Sequence, residues 1–176
     1  MTAPAAKRWF GILSPIDRLS EIIFGTIMAL TFTGTLSIAT AGREDVREML
    51  IGAIGCNTAW GIVDGVMFVI AALLVRKREA ATPADSAAVT ITGQDLKGAL
   101  GCFLLVFAST FPIALPFFFV EEAHRALRMS NGIALVMLYV AGHALGKWAG
   151  FRPVRTGLAM TLVGLILTLC TIALGG

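Results

Sequence analysis

Charged side chains are scarce in this sequence, and their scarcity excludes a soluble domain. Only 14% of the 176 residues are Asp, Glu, Lys or Arg, whereas 57% are hydrophobic and the mean hydropathy is +0.84. A soluble domain carries about 25% charged residues, so this chain has too few of them to cover a surface that faces water. We therefore predict an integral membrane protein whose length suits one domain and whose first partner is the lipid bilayer.

Residues with catalytic or ligand-binding spacing are also missing. Cys56, Cys102 and Cys170 lie inside apolar runs without pair spacing, which is typical of small core residues and supports neither a disulfide framework nor a thiolate metal site. No nucleophile with a base, paired-His metal motif or Gly-rich phosphate loop is visible. We predict no enzymatic activity and no cofactor. The basic residues lie between apolar runs, as interfacial anchors do, so the isoelectric point near 9.0 does not indicate a nucleic-acid partner.

Long apolar runs take the place of these features. A helix needs about 20 apolar residues to cross the hydrocarbon core of a bilayer. The sequence predicts an all-α protein with five such spans, and Pro153 separates the last two. The second is long enough to be tilted or to extend past the membrane. The predicted spans are 19–40, 49–75, 97–120, 131–149 and 154–174, within one transmembrane domain of residues 19–176.

The segments outside these spans set the orientation. Residues 1–18 contain too short an apolar stretch for a signal peptide, and we expect Trp9, Phe10, Ile12 and Leu13 to lie along the membrane surface. The polar stretch 76–96 is a linker. With five spans, ten Lys and Arg lie on the side of the N-terminus and four on the other, which predicts a cytoplasmic N-terminus and an external C-terminus. A bacterial inner membrane fits this multi-pass arrangement.

One face of the second span carries a carboxyl group at bilayer depth. Asn57, Trp60, Gly61, Asp64 and Met67 share that face at helical spacing, and Asp64 lies about 22 Å into the span. An ionisable residue there is costly and usually faces a bundle interior or a water-filled path. We favour Asp64 as a ligand for an ion or a proton. The alternative is a protonated Asp bonded to a neighbouring helix, and for Asn57 an interhelical hydrogen bond is an equal rival.

The first and third spans add further candidates. Glu21 begins the first span near the interface, where a simple headgroup-level acid in the first helical turn is the alternative. Most hydroxyls of this span are expected to bond back to their own helix carbonyls. Pro112 and Pro116 each free a backbone carbonyl in the third span, which fits either a transport path or a packing kink. We place Pro112, Pro116, Thr31 and Thr35 along a transport path.

Three pairs of glycines are spaced four apart, which lets helices approach closely and is a weak indication of dimerisation. They are Gly61 and Gly65, Gly142 and Gly146, and Gly146 and Gly150.

Four stretches resemble the vacuolar iron transporter family. They are SEIIFG in the first span, LIGAIGCNTAWGIVDGVM in the second, FPIALPFF in the third and RPVRTGLAMTLVGLILTL in the fifth. The resemblance covers about residues 17–75 and 97–175. It implies a small five-helix transporter of divalent cations with a cytoplasmic N-terminus, and a homodimer whose path runs between the two first spans.

The chain departs from that family in its ligands. The family's first span typically reads Asn-Asp-Gly where this sequence has Ile27, Met28 and Ala29, and an acidic residue of its second span falls at Asn57. Iron-transporting members often carry an acidic metal-binding insert between spans two and three, where this chain has only the 76–96 linker. Met28 would suit a soft metal, although methionine is also ordinary core filler.

Two functions follow from these features. The first is a transporter of divalent metal cations such as iron or manganese, with proton coupling as an option. In it Asp64 and Glu21 bind cation or proton, while Asn57, Met28 and Met67 complete the metal ligands. The second is a non-transporting scaffold or partner subunit that retains the transporter fold.

Overall fold

Helices make up nearly all of the structure. The computed structural model describes residues 12–34, 43–80, 83 and 88–174, and these contain no strand. The helices are α1 (Pro15–Thr33), α2 (Arg43–Glu79), α3 (Gly93–Ala114), α4 (Pro116–Phe119), α5 (Ala123–Trp148) and α6 (Pro153–Ala173). Because α3 and α4 are two parts of one rod interrupted at Leu115, the described residues form five helical rods. The predicted all-α fold is confirmed.

Four of the rods are long and apolar enough to cross a membrane: Glu44–Glu79, Gly93–Phe119, Ala123–Trp148 and Pro153–Ala173. The rod that contains α1 is not among them, since Asp17, Arg18 and Glu21 lie in its first two turns. Residues 35–42, which complete the predicted first span, lie outside the described residues.

Local sequence signals fix where the helices begin. Ser14 caps α1: its Oγ accepts from the Asp17 N–H at 3.1 Å and its own N–H donates to Asp17 Oδ2 at 3.0 Å. Thr92 and Asp95 form the same reciprocal box at the start of α3. Such boxes satisfy two of the backbone donors that a helix start leaves unpaired. Pro153 begins α6, a position where its missing N–H has no cost.

The structure corrects several predicted boundaries. With 37 residues α2 is about 55 Å long, so it extends past the bilayer at its charged ends. Residues 123–130, which lie between the predicted third and fourth spans, form the first turns of α5. Leu13, expected to lie along the membrane surface, is buried and packs over Gly101 of α3.

The helices form two hairpins with α1 between them. The rod α2 packs along α3, α5 packs along α6, and α1 contacts all four. A cluster of small and branched apolar side chains joins α1, α3 and α5, and it includes Ala29, Leu30, Ile113, Ala134 and Leu138. Large apolar side chains on α2, α3, α5 and α6 point outward, as expected of surfaces that face lipid.

Glycines let these helices approach at short distance. Gly61 and Gly65 of α2 lie directly against Phe103 and Ala99 of α3, while Gly142 and Gly146 of α5 lie against α6. The predicted glycine pairs Gly61/Gly65 and Gly142/Gly146 therefore pack against helices of the same chain. Gly150 lies in the turn between α5 and α6 and has a φ of 77°, a value that favours glycine.

Gly25 of α1 lies directly against the backbone of α3. A Cβ added there would lie 2.7 Å from the Val106 carbonyl oxygen and would also overlap the Ser109 hydroxyl, which donates to that same carbonyl at 2.6 Å. No side chain larger than hydrogen fits unless the two helices separate.

We expect Gly25→Ala to lower the free energy of unfolding by about 1–3 kcal/mol, the usual cost of overpacking. The matched control is Gly132→Ala in α5, where an added Cβ meets open space and alanine is favoured over glycine by about 1 kcal/mol. Thermal unfolding of the detergent-solubilised variants measures both effects. Equal Tm values for the two variants would contradict the tight contact at Gly25.

Candidate functional site

Two carboxyl groups meet between α1 and α2. The side chains of Glu21 and Asp64 lie close enough to interact, and both residues are only partly exposed. The thiol of Cys102, on α3 and 1% exposed, also lies beside Glu21. Three helices thus contribute one polar side chain each to this cluster. We call Glu21 and Asp64 the acid pair.

The sequence positions these groups through its small residues. Gly61 and Gly65 flank Asp64 on α2 and hold that stretch against α3. Gly98, one turn before Cys102, makes room for the ring of Phe68. Because α2 and α3 are in close contact on both sides of Asp64, its carboxyl group is directed towards α1 and Glu21.

The contact between the carboxyl groups requires a proton. Two carboxylates offer only acceptors, so a hydrogen bond between them forms only when one group carries an O–H. Two ionised carboxylates in contact would also repel each other strongly in a medium of low dielectric. We therefore expect the acid pair to share one proton. Asp64 Oδ2 is buried and has no hydrogen-bond partner among the described residues.

An open cleft lies at the end of the bundle where α1 begins and α2 ends, and its lining residues Asp17 and Phe68 are each one helical turn from an acid of the pair. Its volume is about 770 Å³, and it is lined by Asp17 of α1, by α2 from Phe68 to Arg76, and by the start of α3. Asp17 lies one turn before Glu21 and interacts electrostatically with it. At the rim Arg76 donates to Asp95 Oδ2 at 2.7 Å. Water and ions can thus approach within one helical turn of Glu21.

Asn57 lies two turns before Asp64 in α2, and its side chain joins three helices. Its Nδ2 donates to the Thr110 hydroxyl at 2.6 Å and to the Gly25 carbonyl at 3.1 Å, with the Val106 carbonyl at 3.4 Å. The residue is fully buried, and its Oδ1 has no hydrogen-bond partner among the described residues. The amide nitrogen therefore serves helix packing, while the oxygen is the atom left for a ligand.

The other predicted ligands are not brought to the acid pair. Met67 is 55% exposed and faces outward, although it shares a sequence pattern with Asp64. Met28 is partly buried almost two turns beyond Glu21 along α1. Thr31 donates to the Met28 carbonyl of its own helix at 2.9 Å, as expected for hydroxyls of this span. Thr35 lies outside the described residues.

The prolines of the third predicted span interrupt the helix, as their chemistry requires. Pro112 lies inside α3 and Pro116 begins α4 after the break at Leu115. The Ile113 carbonyl, in the last turn of α3, accepts a hydrogen bond of 2.8 Å from Ser130 of α5. A carbonyl at the break is therefore already paired with a neighbouring helix, as in a packing kink.

The described residues contain no group of three or more His, Cys, Asp and Glu side chains that could hold a metal ion. We therefore expect a cation to bind the two acids only in place of the proton that they share. Cys102 is buried, as predicted, but sequence reasoning missed its position beside Glu21, and it missed Asp17. The i, i+4 spacing of Asp17 and Glu21 was the available signal for the latter.

No protein-family model matches the chain, and no curated protein matches it significantly. The function of the acid pair is therefore argued from its own geometry.

The first prediction concerns the shared proton. We expect infrared spectra of the reconstituted protein to show the carbonyl band of a protonated carboxyl group near neutral pH. Glu21→Gln and Asp64→Asn should each shift this band, because the remaining acid then has an amide in place of its carboxyl partner. Glu122→Gln, which changes an exposed acid at the start of α5, is the control and should leave the band unchanged. A band at the wild-type position in both acid variants would contradict the shared proton.

The second prediction concerns Asn57. Replacement with Ala removes hydrogen bonds to two other helices, and interhelical bonds of this kind contribute about 0.6 kcal/mol each, up to about 1.7. We expect Asn57→Ala to lower the Tm, as measured by thermal unfolding in detergent. The control is Thr58→Ala, because the Thr58 hydroxyl bonds only to the Ile54 carbonyl of its own helix. If Thr58→Ala were as destabilising as Asn57→Ala, the joining role of Asn57 would be wrong.

Proposed function

We propose that this protein is a transporter of divalent metal cations that exchanges its cation for a proton. The observation that carries the proposal is the acid pair, two neighbouring carboxyl groups on different helices next to a cleft open at one end. Acidic side chains inside a membrane domain usually belong to ion or proton pathways. The resemblance to the vacuolar iron transporter family supports the same class of cargo.

The proposed topology has five crossings. In it α1 also spans the bilayer, because it lies between two hairpins whose helices are long enough to cross. The charge bias of the flanking segments then gives a cytoplasmic N-terminus and cleft, and an external C-terminus. The proposal retains a homodimer in a bacterial inner membrane, although the glycine faces expected to form it are occupied within the chain.

The exchange follows from the chemistry of the pair. A cation that enters the cleft is attracted by Asp17, which lies one turn from Glu21. When the cation binds the oxygens of Glu21 and Asp64, the O–H bond between them breaks and the proton leaves through the cleft. Each divalent cation bound thus releases one proton from the pair. The Oδ1 of Asn57 lies deeper in the bundle. It is a neutral oxygen that the cation can bind next along its path.

The alternative is a non-transporting scaffold or partner subunit. Two observations favour it: no three-ligand metal group occurs among the described residues, and the amide nitrogen of Asn57 joins helices. In that case the protonated pair is an interhelical hydrogen bond that specifies how α1 docks on α2.

Proteoliposomes distinguish the two functions. We expect the purified protein to take up Fe²⁺ or Mn²⁺ and to move protons in the opposite direction, as reported by metal-sensitive and pH-sensitive dyes. Asp64→Asn and Glu21→Gln should each lower uptake by about 10- to 100-fold, the usual effect of disturbing a metal site. Glu122→Gln is the control and should transport normally.

Absence of uptake of Fe²⁺, Mn²⁺, Co²⁺ and Zn²⁺ by the folded wild type would overturn the transport function and leave the scaffold. Uptake that is insensitive to both acid substitutions would retain transport but remove the acid pair from its path.

A further inference from the structure

A long apolar groove runs along the outer surface between α2 and α3. Its floor is formed where Gly61 and Gly65 bring the two helices together, and exposed side chains such as Ile62, Val66 and Leu100 form its walls. Two cavities of about 480 and 470 Å³ lie along it, and they share Ile70, Leu73 and Ile91 as lining residues. They are therefore two parts of one continuous depression.

The linker before α3 supplies a third wall. Val89 and Ile91 are the only large apolar residues of the otherwise polar stretch 81–92, and both line the groove. Ile91 is 56% exposed there. An exposed isoleucine in a polar linker is unfavourable in water, but it is favourable where a hydrocarbon chain covers it.

The groove has the length of a lipid chain and ends at a positive charge. From Gly61 to Lys77 it follows α2 for about 24 Å, more than the thickness of one leaflet, which is about 15 Å of hydrocarbon. Lys77 lines its end, with exposed Arg78 next in the chain, followed by exposed Glu79. Arg76 is already paired with Asp95 on the other side of α2.

We propose that this groove binds an anionic phospholipid of the cytoplasmic leaflet, with an acyl chain between α2 and α3 and its phosphate at Lys77. Basic residues at the cytoplasmic ends of membrane helices recognise such headgroups. A second copy of the chain is a poorer occupant. In a dimer with its two-fold axis along the membrane normal, Lys77 and Arg78 would face their own equivalents, and like charges repel.

Native mass spectrometry of the delipidated full-length protein tests this proposal. The two probes are phosphatidylglycerol and phosphatidylcholine with the same palmitoyl and oleoyl chains, so that only the headgroup differs. We expect the wild type to bind phosphatidylglycerol about fivefold more tightly, the usual contribution of one basic residue near an anionic membrane surface. Lys77→Gln should remove this preference. Lys147→Gln is the matched control, because Lys147 is an exposed lysine at the end of α5 and lies away from the groove.

A second pair of variants fills the groove without changing charge. Leu100 is 56% exposed on the groove wall and Val136 is 63% exposed on α5, so a tryptophan at either position is compatible with folding. Leu100→Trp should weaken binding of both lipids, whereas Val136→Trp should not.

Three outcomes would overturn the proposal. The first is equal affinity of the wild type for the two lipids, and the second is an equal loss of preference in both lysine variants. The third is a dimer that Leu100→Trp dissociates while lipid binding is unchanged, which would show that a second copy occupies the groove. The choice of the cytoplasmic leaflet rests on the proposed topology, but the test measures no transport, so its failure is distinct from a failure of the transport function.

Discussion

The close approach of α1, α2 and α3 is the constraint on which the rest of the structure depends. Between helices in a bilayer there is no hydrophobic driving force, since lipid tails are as apolar as the side chains they would replace. Association therefore relies on close packing and on hydrogen bonds. Gly25, Gly61 and Gly65 provide the first, and the amide of Asn57 provides the second at the point where the three helices meet.

The acid pair follows from the same packing. A carboxyl group that faced lipid alone would be expensive, but the glycines on either side of Asp64 pack α2 so that this carboxyl group lies beside Glu21. A proton retained by the two acids would remove one negative charge from the bundle. The cleft beside Asp17 leaves a route by which the proton can be exchanged, so the pair is sheltered from lipid and still close to water.

Much of the fold could be predicted from the sequence, because apolar length and flanking charge are local properties. The predicted last span, 154–174, differs from α6 by one residue at each end. Other features depend on which helices become neighbours. Helical periodicity placed Met67 and Asp64 on the same face of α2. That face is so wide that Asp64 lies towards the bundle interior, whereas Met67 lies on the side that faces lipid. A glycine pair likewise does not tell whether it packs within the chain or against another copy. Cys102 gave no signal of its own, since its contact with Glu21 exists only once α3 lies beside α1.

The position of α1 between the two hairpins has a mechanical consequence. Most contacts between the α2–α3 hairpin and the α5–α6 hairpin pass through α1, so a relative movement of the hairpins is a movement against α1. Glu21 belongs to α1 and Asp64 to the first hairpin. Sliding of α5–α6 would leave the two carboxyls together, whereas sliding of α2–α3 would separate them. A hydrogen bond between Glu21 and Asp64 would therefore oppose sliding of the α2–α3 hairpin and leave sliding of the α5–α6 hairpin unaffected.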